Sequence, residues 1–117
     1  MLRDANDMDP VIVDFGLAAD VTSEDYIFYR CGTPGYVAPE VISLNKGEKI
    51  SPICDVFSAG AIFHILLVAK PLFTGSKFEE VYDNNRKLNF NLRSREYSQV
   101  NPEALDLLEK MLKINPK

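Results

Sequence analysis

The sequence describes a small and slightly acidic globular chain. It has 117 residues, of which 46% are hydrophobic and 26% charged, and this balance excludes disorder or a coiled coil for the whole chain. Residues 1–40 carry 2 basic and 8 acidic side chains, whereas residues 41–117 carry 11 and 9. No segment is basic enough to predict nucleic-acid binding.

The cysteines and the hydropathy of the chain limit the kinds of site and the cellular location that can be expected. Cys31 and Cys54 are the only cysteines, and a single histidine accompanies them, so a zinc site is not expected. The most apolar stretch, from Ala59 to Ala69, is too short to cross a bilayer, so no membrane association is expected. Two cysteines without a targeting segment predict reduced thiols in a cytoplasmic protein.

The first predicted elements are one strand and a long loop. Val11-Ile12-Val13 is a β-branched run that predicts a buried strand ending at Asp14. Residues 15–37 hold three of the six glycines and show no clear period, which indicates a long loop of the kind that is often functional. Because a single strand needs a partner for its backbone groups, this pattern predicts that the chain is part of a larger domain.

Downstream of the loop the chain is predicted to be mostly α-helical. Helices are expected at residues 38–44, 52–68, 78–88 and from 102 onward. The second is apolar on most sides, as is typical of a helix in the middle of a core, and His64 within it is expected to be a core histidine with satisfied nitrogens. The last has the strongest amphipathic pattern, with Leu105, Leu108 and Leu112 on one face.

Several short motifs follow one another along the chain. Asp14-Phe15-Gly16 places a carboxylate before a glycine, which suits the binding of a cation beside a loop that can move. The run from Cys31 to Val37 contains Gly-Thr-Pro-Gly-Tyr, Ala38-Pro39-Glu40 follows directly, and Asp55 lies near the start of the apolar helix. Each motif is weak alone, but their order is a far more specific signal.

With these motifs the chain resembles the C-terminal lobe of a eukaryotic-type serine/threonine protein kinase, most like the calcium/calmodulin-dependent group. The resemblance covers residues 11–117 and implies the α+β fold class of that family. It implies a partial kinase domain over 1–117, with an activation segment at 14–40 and a helical C-lobe at 41–117. The implied activity is transfer of the γ-phosphoryl group of ATP to a Ser or Thr hydroxyl of a protein substrate. Calmodulin or another regulator outside this chain is the further partner implied.

The resemblance also implies a role for each motif. Asp14 is expected to bind Mg²⁺, and through it the nucleotide, with Phe15 and Gly16 in structural roles. The residues expected to position the substrate are Gly32, Thr33, Pro34, Gly35 and Tyr36. Glu40 is expected to pair with an arginine near the end of the lobe, and Asp55 is expected to be buried and to hydrogen-bond the catalytic loop.

Several parts of the family pattern are not found in the sequence. The glycine-rich nucleotide loop, the lysine that contacts the phosphates and the catalytic loop with its aspartate are all absent. No catalytic residue is therefore expected in this chain, and the chain alone is not expected to bind ATP and Mg²⁺. We interpret the sequence as a truncated C-lobe, without the N-lobe and the catalytic loop, that is inactive alone.

Candidate phosphorylation sites lie in the predicted activation segment, at Thr22, Ser23 and Tyr29. The usual site of the family falls at Tyr29, which disfavours ordinary Ser/Thr phosphorylation there. Two other functions are alternatives to this interpretation. One is a non-catalytic kinase-like binding module, and the other is a small α/β domain in which Asp14 itself is phosphorylated, which requires several parallel strands.

Overall fold

In the computed structural model, which describes residues 2–4, 7–22 and 30–113, the chain forms two short strands and four α-helices. Strands β1 (Leu2–Asp4) and β2 (Asp7–Pro10) pair antiparallel, with Leu2 opposite Pro10. The helices are α1 (Pro39–Ile42), α2 (Cys54–Val68), α3 (Phe78–Arg86) and α4 (Pro102–Met111). Single 3₁₀ turns lie at Phe15–Leu17 and Arg95–Tyr97.

The strand prediction was wrong in position and in number. The described residues form two strands rather than one, and both precede Val11. Ile12 is 83% exposed and Val13 is 49% exposed, so the expected burial is not found either. β-Branched residues favour a pleated, half-buried surface, but they do not say which neighbouring segment pairs. The antiparallel pairing also offers no support for the phosphoacceptor domain, which needs parallel strands.

The four predicted helices are confirmed, with boundaries shifted by a few residues. α2 is half buried rather than enclosed on all sides: Phe57 is 2% exposed, whereas Ile62 and Leu66 are 52% and 78% exposed. A Cβ added at Gly60 would lie only 3.0 Å from the Cβ of Met111, so this glycine permits the close approach of α4 to α2. None of the described helices is both long and apolar enough to cross a membrane.

The hydrophobic core lies where α1, α2, α4 and the segment after α2 meet. Phe73 is 2% exposed, and its ring stacks on Phe57 with 6.5 Å between centroids and meets Phe90 edge-on at 5.8 Å. Leu108 of α4 is fully buried, at 0% exposed, as its place in the amphipathic pattern predicts. This core fixes the positions of the loops that carry the predicted site residues.

His64 is a structural core histidine, as expected. It is 3% exposed, its Nδ1 lies 3.0 Å from the carbonyl oxygen of Lys70, and its Nε2 lies 2.8 Å from the hydroxyl of Tyr97. Burial lowers the pKa of His64 below its ordinary value, and it outweighs the opposing effects of the Lys70 hydrogen bond and the Glu96 carboxylate. These contacts join the end of α2 to the turn that precedes α4.

Candidate functional site

Asp14 lies on the surface, at the start of the first 3₁₀ turn. Its backbone is in the left-handed region, with φ 64° and ψ 74°, which a short side chain tolerates because it hydrogen-bonds locally. Its Oδ1 accepts a hydrogen bond from the Gly16 N–H at 3.4 Å. Phe15, which follows it, is 69% exposed. The carboxylate is therefore presented to solvent by a tight turn.

Asp14 offers oxygen ligands of the kind that Mg²⁺ binds. Mg²⁺ is usually held through one or two carboxylates together with substrate phosphates, and it retains several waters. In the part of the chain that the structure describes, no group of three or more His, Cys, Asp or Glu side chains is arranged to hold a metal ion. The exposed carboxylate of Asp14 is chemically suited to a single contact of this kind with Mg²⁺.

Residues 32–37, called here the 32–37 turn, form a tight surface turn that leads into α1. Gly32 has φ 135°, and a Cβ there would lie 2.8 Å from the side chain of Val37, so the site requires glycine. The N–H groups of Tyr36 and Val37 both donate to the carbonyl of Thr33, at 3.1 and 3.2 Å. The structure thus brings the five residues predicted to position the substrate together in one turn.

Asn85 of α3 fixes this turn, and the sequence analysis missed it. The side chain is fully buried, at 0% exposed. Its Oδ1 accepts from the Gly35 N–H at 2.8 Å, and its Nδ2 donates to the carbonyl of Val37 at 3.0 Å. A signal was present, because position 85 follows Val81 and Tyr82 at helical spacing on the apolar face of α3. A polar residue on such a face needs buried partners.

A cavity of about 510 Å³ lies between the 32–37 turn and α2. Its lining includes Leu17, Tyr36, Cys54 and Ile62, so most of its wall is apolar. Burial raises the pKa of the Cys54 thiol to about 11, with a further contribution from the neighbouring carboxylate of Asp55, so the thiol stays protonated and unreactive at neutral pH.

A second cavity, of about 320 Å³, lies between the 32–37 turn, the segment after α2 and α3. Gly35, Tyr36, Phe73 and Val81 are among its lining residues. Tyr36 lines both cavities and is 38% exposed.

Asp55 and Glu40 differ in their surroundings. Asp55 is exposed at the edge of the first cavity, in contrast to the expected burial, because α2 begins at the surface and Val56 beside it is also 43% exposed. Glu40 of α1 has one carboxylate oxygen, Oε2, that is buried and has no hydrogen-bond partner among the described residues. Its pairing with an arginine stays a prediction.

Of the candidate phosphorylation sites, Thr22 is the one within the described residues. Its N–H and its hydroxyl both donate to Oδ1 of Asp20, at 2.8 and 2.7 Å, and these bonds lower the pKa of Asp20. Thr22 is exposed, and its hydroxyl is therefore accessible at the surface. Ser23 and Tyr29 lie outside the described residues.

Comparison with known proteins gives matches over nearly the whole chain. A protein-family model described as "Protein kinase domain" matches residues 1–117. Calcium-dependent protein kinase 3 of Plasmodium yoelii yoelii is 37% identical over 105 residues, which cover 89% of this chain and 19% of that protein. The delta subunit of calcium/calmodulin-dependent protein kinase type II from Oryctolagus cuniculus is 39% identical over 106 residues, which cover 90% of this chain and 19% of that protein. The chain thus spans about a fifth of the length of these relatives.

Proposed function

The chain belongs to the protein kinase family and resembles its calcium/calmodulin-dependent group, and we propose that the protein containing it is an ATP-dependent serine/threonine kinase. The observation that carries the proposal is the order of Asp14-Phe15-Gly16, the 32–37 turn and Ala38-Pro39-Glu40 in a chain that matches the kinase-domain model from end to end. The transfer runs from ATP to a Ser or Thr hydroxyl of a protein substrate.

The proposal gives two parts of this chain a direct role. Asp14 holds Mg²⁺, which when bound neutralises charge on the transferring phosphate oxygens. The exposure of Asp14 supports this role, because its carboxylate is accessible to a Mg²⁺ ion that carries a phosphate group. The 32–37 turn positions the protein substrate. The general base and the other nucleotide contacts come from outside this sequence, so the chain alone is inactive.

Exposed apolar side chains support a larger domain around this site. Leu17 and Ile62 line the first cavity and are 57% and 52% exposed, and Phe15 nearby is 69% exposed. Burial of a large apolar side chain contributes about 1.5–3 kcal/mol, and exposed apolar patches mark sites of interaction. We infer that the remainder of the kinase domain covers this side. Calmodulin or another regulator is proposed to bind outside this chain.

The test replaces Asp14 with asparagine in the full-length protein and measures phosphoryl transfer to protein substrates. Asp14→Asn removes the charge that holds Mg²⁺ with little change in volume, so we expect kcat to fall at least about tenfold, or about 1.4 kcal/mol in transition-state stabilisation. Asp20→Asn is the matched control, since Asp20 is an exposed aspartate in the same loop whose carboxylate bonds Thr22, and it is expected to retain activity.

Three results would contradict parts of this proposal. An Asp14→Asn protein with more than a tenth of the parental kcat would remove the assigned metal-binding role. Phosphotyrosine as the main product in mass spectrometry of a peptide library would exclude the Ser/Thr assignment. An unmutated full-length protein that transfers no phosphate would favour the non-catalytic binding module.

A further inference from the structure

Asn85 is a buried polar side chain with no part in the phosphoryl transfer described above. It joins α3 to the 32–37 turn, with bonds of 2.8 Å from Gly35 and 3.0 Å to Val37. Burial of an amide is unfavourable unless its polar atoms are paired, and here both the oxygen and the nitrogen are paired with backbone groups. The two bonds therefore fix the distance and orientation of the turn relative to α3.

The same helix forms one wall of the second cavity. Val81 lies one helical turn before Asn85 and lines that cavity opposite Gly35 and Tyr36. The packing is close, since a Cβ added at Gly35 would lie 3.7 Å from Cγ1 of Val81. The cavity measures about 320 Å³, and its apolar walls suit a single apolar side chain. Its width depends on where Asn85 holds the turn.

We propose that Asn85 is a positioning residue for the protein substrate. By holding Gly35 and Val37, it sets the width of the cavity between the 32–37 turn and α3 and thereby the affinity for an apolar side chain of the protein substrate. This inference rests on the proposed function, in which the turn binds substrate. Because Asn85 contacts the turn and not the reacting atoms, its loss changes peptide binding more than the chemical step.

Two substitutions of Asn85 test this in the full-length protein. Asn85→Asp keeps an oxygen for the Gly35 N–H but places an oxygen against the Val37 carbonyl, whereas Asn85→Leu leaves both backbone groups without their partner. Asn91→Asp is the control, since Asn91 is exposed and its Oδ1 accepts from the nearby Arg93 N–H. Hydrogen exchange in α2 verifies that each variant is folded, and if Asn85→Leu is not, Asn85→Asp decides.

The kinetic readout separates positioning from a general structural role. For both Asn85 variants we expect KM to rise about tenfold for a substrate peptide whose apolar side chain enters the cavity. We expect kcat, and KM for ATP, to stay within about twofold of the parental values. We also expect the preference for leucine over glycine, at the peptide position where the parent selects leucine most strongly, to fall by a similar factor. The control is expected to match the parent.

Other outcomes overturn the inference. An active parent whose Asn85 variants keep the parental peptide KM and selectivity contradicts it while leaving the proposed function intact. Variants that lose kcat with an unchanged peptide KM show that Asn85 is structural. A parent that transfers no phosphate contradicts the proposed function and this role with it.

Discussion

The two ends of the described chain differ in how they are held. Every buried hydrophobic side chain among the described residues lies between Val37 and Leu112, whereas all described residues from Ile12 to Thr22 are exposed. The helical region therefore has its own core, and the region that carries Asp14 has none within this chain. The turn proposed to bind substrate lies at the border, where its last residue, Val37, enters the core.

The helical region and the region around Asp14 also differ in the interactions that their side chains make. The helical region is stabilised by apolar packing, because its ion pairs, such as Lys110–Asp106 at 2.6 Å, are exposed and contribute little. The region around Asp14 has a charged residue and apolar side chains that lack cover in the described chain. We conclude that the helical region, with the turn proposed to bind substrate at its edge, has its own apolar core, whereas the region proposed to bind the metal has none among the described residues.

The most direct test of this comparison makes the same substitution in each region of the 117-residue chain. Phe73→Ala is expected to lower the free energy of unfolding by about 3–5 kcal/mol, because it removes a ring packed between two others. Phe15→Ala is expected to change it by less than about 0.5 kcal/mol, because that ring is exposed. Urea unfolding followed by circular dichroism measures both. Equal losses of unfolding free energy would mean that the region around Asp14 is packed as tightly as the core.

The helical region was largely predictable from the sequence, because periodicity reports which side chains face a core. Leu108 and Leu112 were placed on the apolar face of the last helix and are buried. The helix is capped by Asn101, whose Oδ1 accepts from the Glu103 N–H at 2.8 Å. Gly32, Thr33, Pro34, Gly35 and Tyr36 lie in one turn, and their role in positioning the substrate stays a prediction.

The remaining misses concern which segments pair with one another or cover one another. The β-branched run at Val11–Val13 does not reveal which segments pair, and the partners of Asn85 stand about 50 residues away. The resemblance implied that Asp55 is buried, but Asp55 is exposed because α2 begins at the surface of the described chain. Local sequence patterns indicate the type of an element and its apolar face, but they do not indicate which other segment of the chain packs against it.

A substitution of Glu40, which lies close to the border between the two regions, is expected to change the free energy of unfolding by a smaller amount. Because its Oε2 is buried without a described partner, Glu40→Gln is expected to raise the free energy of unfolding of the 117-residue chain by about 1 kcal/mol. In the full-length protein, where an arginine is expected to pair with Glu40, the same change is expected to be destabilising. Glu109→Gln, at an exposed position on α4, serves as the control in urea unfolding. The same sign in both proteins would contradict the expected pairing.

The smallest expected effect is a pH dependence that comes from the core itself. His64 is the only histidine, so its ring proton gives one assignable NMR signal, and burial is expected to hold its titration midpoint below 6.5. Above pH 6.5 neither state is protonated at this site, and as the pH falls below 6.5 the unfolded state binds a proton that the folded state does not. Stability is therefore expected to decline between about pH 6.5 and the lower folded pKa, and His64→Gln is expected to reduce that decline in urea unfolding between about pH 7.5 and pH 5.5. A midpoint at or above 6.5 would mean that the imidazole is open to solvent, and that the core is less closed around α2 than its contacts with Tyr97 and Lys70 indicate.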